Sequence, residues 1–289
     1  MLTLKPFEYF EPRSIDEATR ISLMYGEKAK VLAGGLDLLP RMRQRKIKPE
    51  CLIYIQRIPG LDYIEGNGAG IRIGALTTLR SIELSPLIQK GYMVLHEAIS
   101  GIASTQVKNM GTAVGNLCVA TPASDVAPPL SVLGAKLKIA STASERIIPI
   151  ENLFIGVNQT SLQPGEIVTE ILVPNTPAKT GCAFLKLVRT AADIAKVNVA
   201  VSLTMADNTC QEARIALGSV APTIIRARKA EDALKGKKLD QKAIEAAAEA
   251  AAEEAKPITD IRSTAEYRKE TTSVLVRRAM EKAIKRAKA

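Results

Sequence analysis

Apolar positions recur along this chain in two rhythms, every second residue in some stretches and every third or fourth in others, so the pattern predicts both strands and helices. Ser14-Ile-Asp-Glu17 has the form of a capping box, in which the serine hydroxyl and the glutamate carboxylate each accept from a backbone amide of the other residue. The helix it opens is predicted to reach about Tyr25, with Gly26 as its C-terminal cap. Lys30-Val-Leu-Ala33 reads as a strand that ends in Gly34-Gly35 and gives way to a helical stretch from Asp37 to about Arg45. Cys51 to Ile55 is a further buried strand, and Leu61 to Gly74 alternates around Gly66-Asn-Gly-Ala-Gly70 as a hairpin does. Short helices are predicted over Leu79–Leu84 and Met93–Ser100.

From Ala103 to Pro129 the chain turns polar and glycine-punctuated, and it is expected to be irregular. A loop of that length inside a compact domain is usually functional. Strands near Lys136–Ala140 and Ile167–Val173 bring the chain to Pro174 and Pro177, which mark a domain boundary. Beyond it lie three strand-like runs, Cys182–Arg189, Val197–Met205 and Glu212–Leu217. Two helices follow, Gln241–Ala255 and Ser263–Lys288. The fold class is therefore α+β, with one domain over residues 1–177 and a second over 178–289, an antiparallel sheet covered by helices. No internal repeat is visible.

Composition narrows the function classes. The 289 residues are 46% hydrophobic and 24% charged, enough apolar material for packed cores, with few aromatics and no tryptophan. No run of roughly 18 apolar residues predicts a membrane span, and the opening MLTLKPFEYFEP lacks the form of a signal peptide, so the protein is read as cytoplasmic. Cys51, Cys118, Cys182 and Cys210 are far apart and make no CxxC pair, so they read as free, mostly buried thiols, with no metal-ligand set. The net charge of +10 is concentrated at Arg41-Met-Arg-Gln-Arg-Lys46 and from Arg268 to Lys288. Neither cluster carries the stacking aromatics of a single-strand binder, so nucleic acid is not expected, and a docking or solvated face is.

Three segments carry chemistry. In Val31-Leu-Ala-Gly-Gly-Leu-Asp-Leu-Leu-Pro40, glycines without Cβ let the main chain approach a pyrophosphate, although a Gly-Gly after a strand is also an ordinary tight turn. It is neither GxGxxG nor GxxxxGK[ST]. Ala103 to Asp125, followed by Pro128-Pro129, gathers small residues, hydroxyls, an amide and a carboxylate. It offers Gly111 to Asn116 as a second set of backbone donors. The third is Ala183-Phe-Leu-Lys-Leu-Val-Arg-Thr-Ala-Ala-Asp-Ile-Ala-Lys-Val-Asn198.

Together these segments resemble the FAD-binding medium subunits of aerobic carbon monoxide dehydrogenase and of the xanthine dehydrogenase superfamily. Thr77-Thr78 sits where that family carries a Thr-Thr pair, and Asp260-Ile-Arg-Ser-Thr-Ala-Glu-Tyr-Arg-Lys269 is similar to its C-terminal domain. The resemblance implies a two-part FAD-binding domain of the vanillyl-alcohol-oxidase-like (PCMH) type ahead of the C-terminal domain. It implies that Ala33, Gly34 and Gly35 cradle the pyrophosphate, flanked by Val31, Leu32, Leu36, Asp37 and Leu38. Thr112, Gly115 and Asn116 would form a second wall, and Asp125 would bond the polar part of FAD. Lys186 would lie near the isoalloxazine or ribityl chain, with Thr77, Val119 and Val168 completing the surroundings and Asp193 a lesser candidate.

Two positions depart from the family pattern. Leu36 stands where relatives commonly have a polar residue, and Val114 where they have the first glycine of Gly-Gly-Asn. Valine disfavours positive φ and would hold its Cβ toward the ligand, so weaker binding or a displaced loop is expected. The chain shows no catalytic base constellation, and its sole histidine, His96, reads as a satisfied structural residue. The resemblance therefore implies an electron-transfer subunit holding FAD without a covalent bond. Its partners would be a large molybdenum-cofactor subunit and a small subunit with two 2Fe–2S clusters, in a dimer of heterotrimers. Two alternatives stand beside it: a self-sufficient flavin oxidase, and an assembly scaffold that has lost FAD.

Overall fold

The structure, a computed structural model, describes residues 4–288. It opens with β1 (Glu8–Phe10), α1 (Ile15–Tyr25), β2 (Ala29–Leu32), α2 (Leu38–Arg43) and β3 (Cys51–Tyr54), and the strands form a parallel sheet in the order β1-β3-β2. Ser14 caps α1 by accepting from the Glu17 amide. The other half of the expected box is shifted by one residue, because the Glu17 carboxylate accepts from Arg13 N at 2.8 Å. The helix after the glycine turn is shorter than its sequence suggests; Arg45, at φ +57°, turns the chain away.

The hairpin β4 (Ile64–Gly66) and β5 (Gly70–Gly74) follows as expected. Six short helices come next: α3 (Leu79–Leu84), α4 (Pro86–Gly91), α5 (Met93–Ser100), α6 (Thr105–Met110), α7 (Ala113–Cys118) and α8 (Ala127–Val132). The expectation of an irregular stretch from Ala103 to Pro129 is thus corrected. Two of its hydroxyls are helix caps, Ser104 accepting from Val107 N and Thr112 from Gly115 N, while Ser124 accepts from Val126 N and Ala127 N in the turn ahead of α8. Then come β6 (Lys136–Ala140), β7 (Glu145–Pro149), the small hairpin β8 (Phe154–Gly156) and β9 (Gln159–Thr160), and β10 (Ile167–Pro174). Here β4, β5, β10, β6 and β7 make a five-stranded antiparallel sheet in that order.

The last part is a four-stranded antiparallel sheet of β11 (Thr180–Leu187), β12 (Val197–Ala206), β13 (Thr209–Gly218) and β14 (Ile225–Arg226), with α9 (Arg228–Leu234), α10 (Gln241–Glu254) and α11 (Ala265–Ala287) on one face. Strand periodicity explains why β12 is almost uniformly apolar, since both of its faces are covered. Val197, Val199, Val201 and Leu203 pack toward the helices of the C-terminal part. Ala200 belongs instead to the largest core, with Val114, Leu117 and Leu130 of α7 and α8 and with Ile73, Ile139 and Ile171 of the five-stranded sheet. A helical layer is therefore sandwiched between the two larger sheets.

Polar contacts lock that sandwich to the final helix. The Glu97 carboxylate on α5 accepts from Lys282 Nζ at 2.6 Å, from Arg286 at 2.6 and 3.1 Å, and from the Phe184 amide at 3.1 Å. Burial pushes this carboxyl up, but the two cations and the amide together hold it below its ordinary value of 4.5. A depressed carboxyl stabilises the fold above its unfolded-state value and stops doing so as pH falls through the folded one. Glu97→Gln is therefore expected to lower the unfolding temperature at pH 7. The gap to wild type should close as the pH is lowered below about 4, which unfolding scans over a pH series will show.

Candidate functional site

The first glycine turn follows β2. Among the described residues the amides of Gly34, Gly35, Leu36 and Asp37 donate to no protein acceptor, so this turn presents free donors. Its two glycines are needed for different reasons. Gly35 has φ +70°, a conformation that side chains rarely adopt. Gly34 has no positive φ; a Cβ there would lie 2.0 Å from the carbonyl oxygen of Met110 and 3.3 Å from Gly111 Cα. Gly34 thus lets the first turn touch the backbone between α6 and α7. The Leu36 side chain, 41% exposed, spans the same junction, with its Cδ1 3.4 Å from where a Gly111 Cβ would stand. Leu32 and Leu38 pack in a small apolar cluster with Met42 and Leu52, Val31 is exposed, and Asp37 faces Arg41 at 3.4 Å. Arg43, Arg45 and Lys46 are exposed and make no ion pair among the described residues.

The second segment is joined to the first and to the Thr77–Thr78 pair. Leu79 N donates to Gly111 O at 2.8 Å, and Thr78 and Thr112 form an isolated bridge. Most amides expected to face a ligand are used within the protein. Gly111 N donates to Val107 O, Ala113 N to Thr77 O, Asn116 N to Thr112 O and Gly115 N to the Thr112 hydroxyl. Gly115 serves that cap, since a Cβ would stand 2.7 Å from Thr112 Oγ1. The reading of Val114 as a misdirected ligand contact is also corrected. Val114 sits in α7 without positive φ and is buried in the main core, as are Ala113 and Leu117. The helical phase turns Gly115 and Asn116 to the open side instead, where both are half-buried.

What this wall does offer is the Asn116 amide. Ser124 Oγ accepts from two backbone amides, so its one proton goes to Asn116 Oδ1, 2.6 Å away. That fixes the carboxamide with its NH2 outward, and among the described residues this group has no protein partner. Directly beside it, Asp125 is held on both oxygens: Lys186 Nζ donates to Oδ2 at 2.6 Å and Asn198 Nδ2 to Oδ1 at 2.7 Å. Burial pushes the Asp125 carboxyl up, against the opposing pull of Lys186 and the amide. Lys186 Nζ lies also 3.4 Å from Gly101 O.

A continuous strip results: the Gly34–Asp37 donors, the Met110–Thr112 junction, Asn116, then the Asp125–Lys186 pair. Free N–H donors at one end and a buried cation–carboxylate pair at the other suit a long ligand with an anionic middle and a polar chain. Of the other residues expected around the ligand, Thr77 and Val168 are buried within the protein, whereas Val119 is half-buried three residues after Asn116. Thr77 is 1% exposed, and its hydroxyl donates to Tyr63 O and accepts from Tyr63 N. Val168 lies on β10, and Val119 ends α7. Asp193 braces the β11–β12 turn, accepting from Ile194 N at 2.9 Å and facing Arg189. His96 is not satisfied as expected, because its Nδ1 is enclosed without a hydrogen-bond partner among the described residues. Burial pushes the Cys118 thiol, two residues after Asn116, up to about 12, so it is no nucleophile at neutral pH. The sequence pattern does not mark Ser124 or Asn198 as part of the site; an asparagine within the apolar run Val197–Met205 is the available signal.

Comparison with known proteins gives concordant results over the whole chain. Residues 5–176 match the family model described as the FAD binding domain in molybdopterin dehydrogenase. Residues 182–283 match the CO dehydrogenase flavoprotein C-terminal domain. The carbon monoxide dehydrogenase medium chain of Hydrogenophaga pseudoflava is 37% identical over 278 residues, 96% of each chain. The nicotine 6-hydroxylase medium subunit of Paenarthrobacter nicotinovorans is 34% identical, over 98% of this chain and 99% of that one. Among solved structures, carbon monoxide dehydrogenase from Hydrogenophaga pseudoflava superposes with a TM-score of 0.95 at 37% identity, covering 98% of this chain and 99% of that one. Quinoline 2-oxidoreductase from Pseudomonas putida 86 gives 0.92 at 29% identity, covering 99% and 100%.

Proposed function

The chain belongs to the family of FAD-binding medium subunits of the molybdenum hydroxylases, and from that premise we propose that it relays electrons from an iron–sulfur partner subunit to an external acceptor. It is an oxidoreductase subunit whose cofactor is FAD, working beside a large and a small subunit. FAD, when bound, supplies chemistry that joins one-electron centres to a two-electron acceptor. The protein's own residues fit that group. The Gly34–Asp37 amides bind diphosphate oxygens, the Asn116 NH2 donates to the same group from the facing wall, and Lys186 with Asp125 orients the polar chain beyond it. Substrate oxidation takes place in the large, molybdenum-bearing subunit, and the small subunit carries two 2Fe–2S clusters. We further read the complex as a cytoplasmic dimer of heterotrimers, and this chain as two units, 1–177 and 178–289. The break between the two family matches, after 176 and before 182, supports the division. No helix among the described residues is long and apolar enough to cross a membrane.

The observation that carries the site assignment is the outward Asn116 carboxamide, locked by Ser124 and left without a protein partner. A hydrogen bond from it to a phosphate oxygen is worth about 1.5–3 kcal/mol. Asn116→Ala is therefore expected to weaken FAD binding by roughly ten- to a hundredfold, read by fluorescence titration of the apo chain. Binding equal to wild type would remove Asn116 from the site. Acid precipitation of the loaded chain should release intact FAD; flavin that stays with the precipitate would exclude a non-covalent site.

A further inference from the structure

Asn198 is completely buried in the four-stranded sheet, at 0% exposure, on the face that meets α8. Its neighbours across the strands are Lys186 on β11 and Gly218 on β13. Nδ2 donates twice, to Ser124 O at 3.0 Å and to Asp125 Oδ1 at 2.7 Å. Gly218 makes the room: a Cβ there would stand 2.0 Å from Asn198 Oδ1, although Gly218 has no positive φ that would itself call for glycine. Asn198 Oδ1 is enclosed and has no partner among the described residues. Enclosing an unpartnered carbonyl is unfavourable, and an apolar residue would fill a strand of valines and alanines without that cost. The strand itself therefore gives no reason for asparagine, whereas the grip on residues 124 and 125 does.

That grip reaches both polar ends of the site. Ser124 connects Asn198 to the Asn116 carboxamide, and Asp125 is clamped between Asn198 and Lys186, one donor per oxygen. We propose that Asn198, with room supplied by Gly218, is a positioning residue for the cofactor: from the C-terminal sheet it fixes the Asn116 amide and the Asp125 carboxylate in the orientation that receives FAD. Without it the Asp125 carboxylate is free to pivot about Lys186, and the turn that carries Ser124 loses its anchor to β12. This inference rests on the functional reading above. It adds that the C-terminal sheet takes part in holding the cofactor through a residue that need not touch it.

The test is the FAD dissociation constant of the apo chain, by flavin fluorescence, for wild type, Asn198→Ala, Asn116→Ala and the double variant. Asn198→Ser, a milder change, carries the test if the alanine chain does not fold. The Asn198 variants are expected to bind FAD about tenfold more weakly and to change the shape of the bound flavin's visible band. In the Asn116→Ala background the same substitution should cost about threefold or less, because part of its effect runs through Asn116. A residue with a merely structural role would lower the unfolding temperature and leave the dissociation constant of the folded chain within about twofold, or would add its full tenfold in both backgrounds. Either result overturns the proposal. If Asn116→Ala weakens binding and the Asn198 variants bind like wild type, this inference alone fails. If wild type binds no FAD, the functional reading fails and this inference with it.

Discussion

Gly34→Ala is expected to lose FAD binding by a hundredfold or more while the rest of the fold survives. The added methyl would stand 2.0 Å from the Met110 carbonyl oxygen and 2.9 Å from its carbon, both backbone atoms that no rotamer change can move. The first turn must then part from the α6–α7 junction, and that contact is what sets the free amides of Gly34–Asp37 opposite Asn116. Forcing an extra carbon into such a contact costs about 1–3 kcal/mol, and separating the two walls proposed to hold one diphosphate would cost contacts on both. A hundredfold loss corresponds to about 2.7 kcal/mol. Gly35→Ala makes the informative comparison. Its difficulty is the backbone at φ +70°, and the nearest atoms are tips of Leu32 and Leu39, which can move. FAD titration of both variants checks this. Gly34→Ala binding like wild type would mean that the two turns do not act together.

Arg226→Ala is expected to be the most destabilising single change away from the cofactor, at about 3–5 kcal/mol. Its guanidinium on β14 binds Glu231 through two bonds, of 2.5 and 2.8 Å, and reaches Glu151 at 2.8 Å, ahead of β8. Arg226 and Glu231 are 8% and 7% exposed, so solvent does little to screen the pair. Truncating the arginine leaves the Glu231 carboxylate buried with only the Ile215 amide at 2.7 Å and Arg228 at 3.6 Å. It also releases one tie between the C-terminal sheet and the first part of the chain. Urea unfolding followed by circular dichroism measures the loss; a change below about 1 kcal/mol would show that the pair is solvated in practice. FAD affinity of the folded variant should stay within about threefold of wild type, because none of these groups belongs to the cofactor strip.

Local signals were easiest to read where they are self-contained. The α1 cap, the Gly34-Gly35 turn, the β4–β5 hairpin and the apolar β12 all declare themselves in a few consecutive residues. The stretch from Ala103 to Pro129 does not, because helices of six residues are too short to show a period, and two of the three open on hydroxyl caps that look like loop residues. The burial of Val114 is hidden in the sequence for the same reason. Read as loop, the valine faces a ligand; read in the phase of α7, it points with Leu117 into the core. β7 was missed because Glu145-Arg-Ile-Ile-Pro149 alternates poorly and pairs only with β6. Of the candidate site, the glycine turn, Asn116, Asp125 and Lys186 are legible as candidates through the family signature, and the structure links them by contacts. The Asn198–Asp125 bond is not legible, since it joins residues 73 apart in sequence and depends on a glycine in a third strand.

The measurement that bears most directly on the electron-relay assignment is the visible spectrum and metal content of the chain purified under mild conditions with whatever it holds. The account predicts flavin bands overlaid on iron–sulfur absorption, one FAD per chain, iron and molybdenum in the preparation, and two further polypeptides, a larger and a smaller, in equal amounts. After removal of those partners the chain should keep flavin and lose both metals. A colourless chain purifying alone would contradict the account, as would a flavin-bearing chain that oxidises an organic substrate with no metal and no partner present.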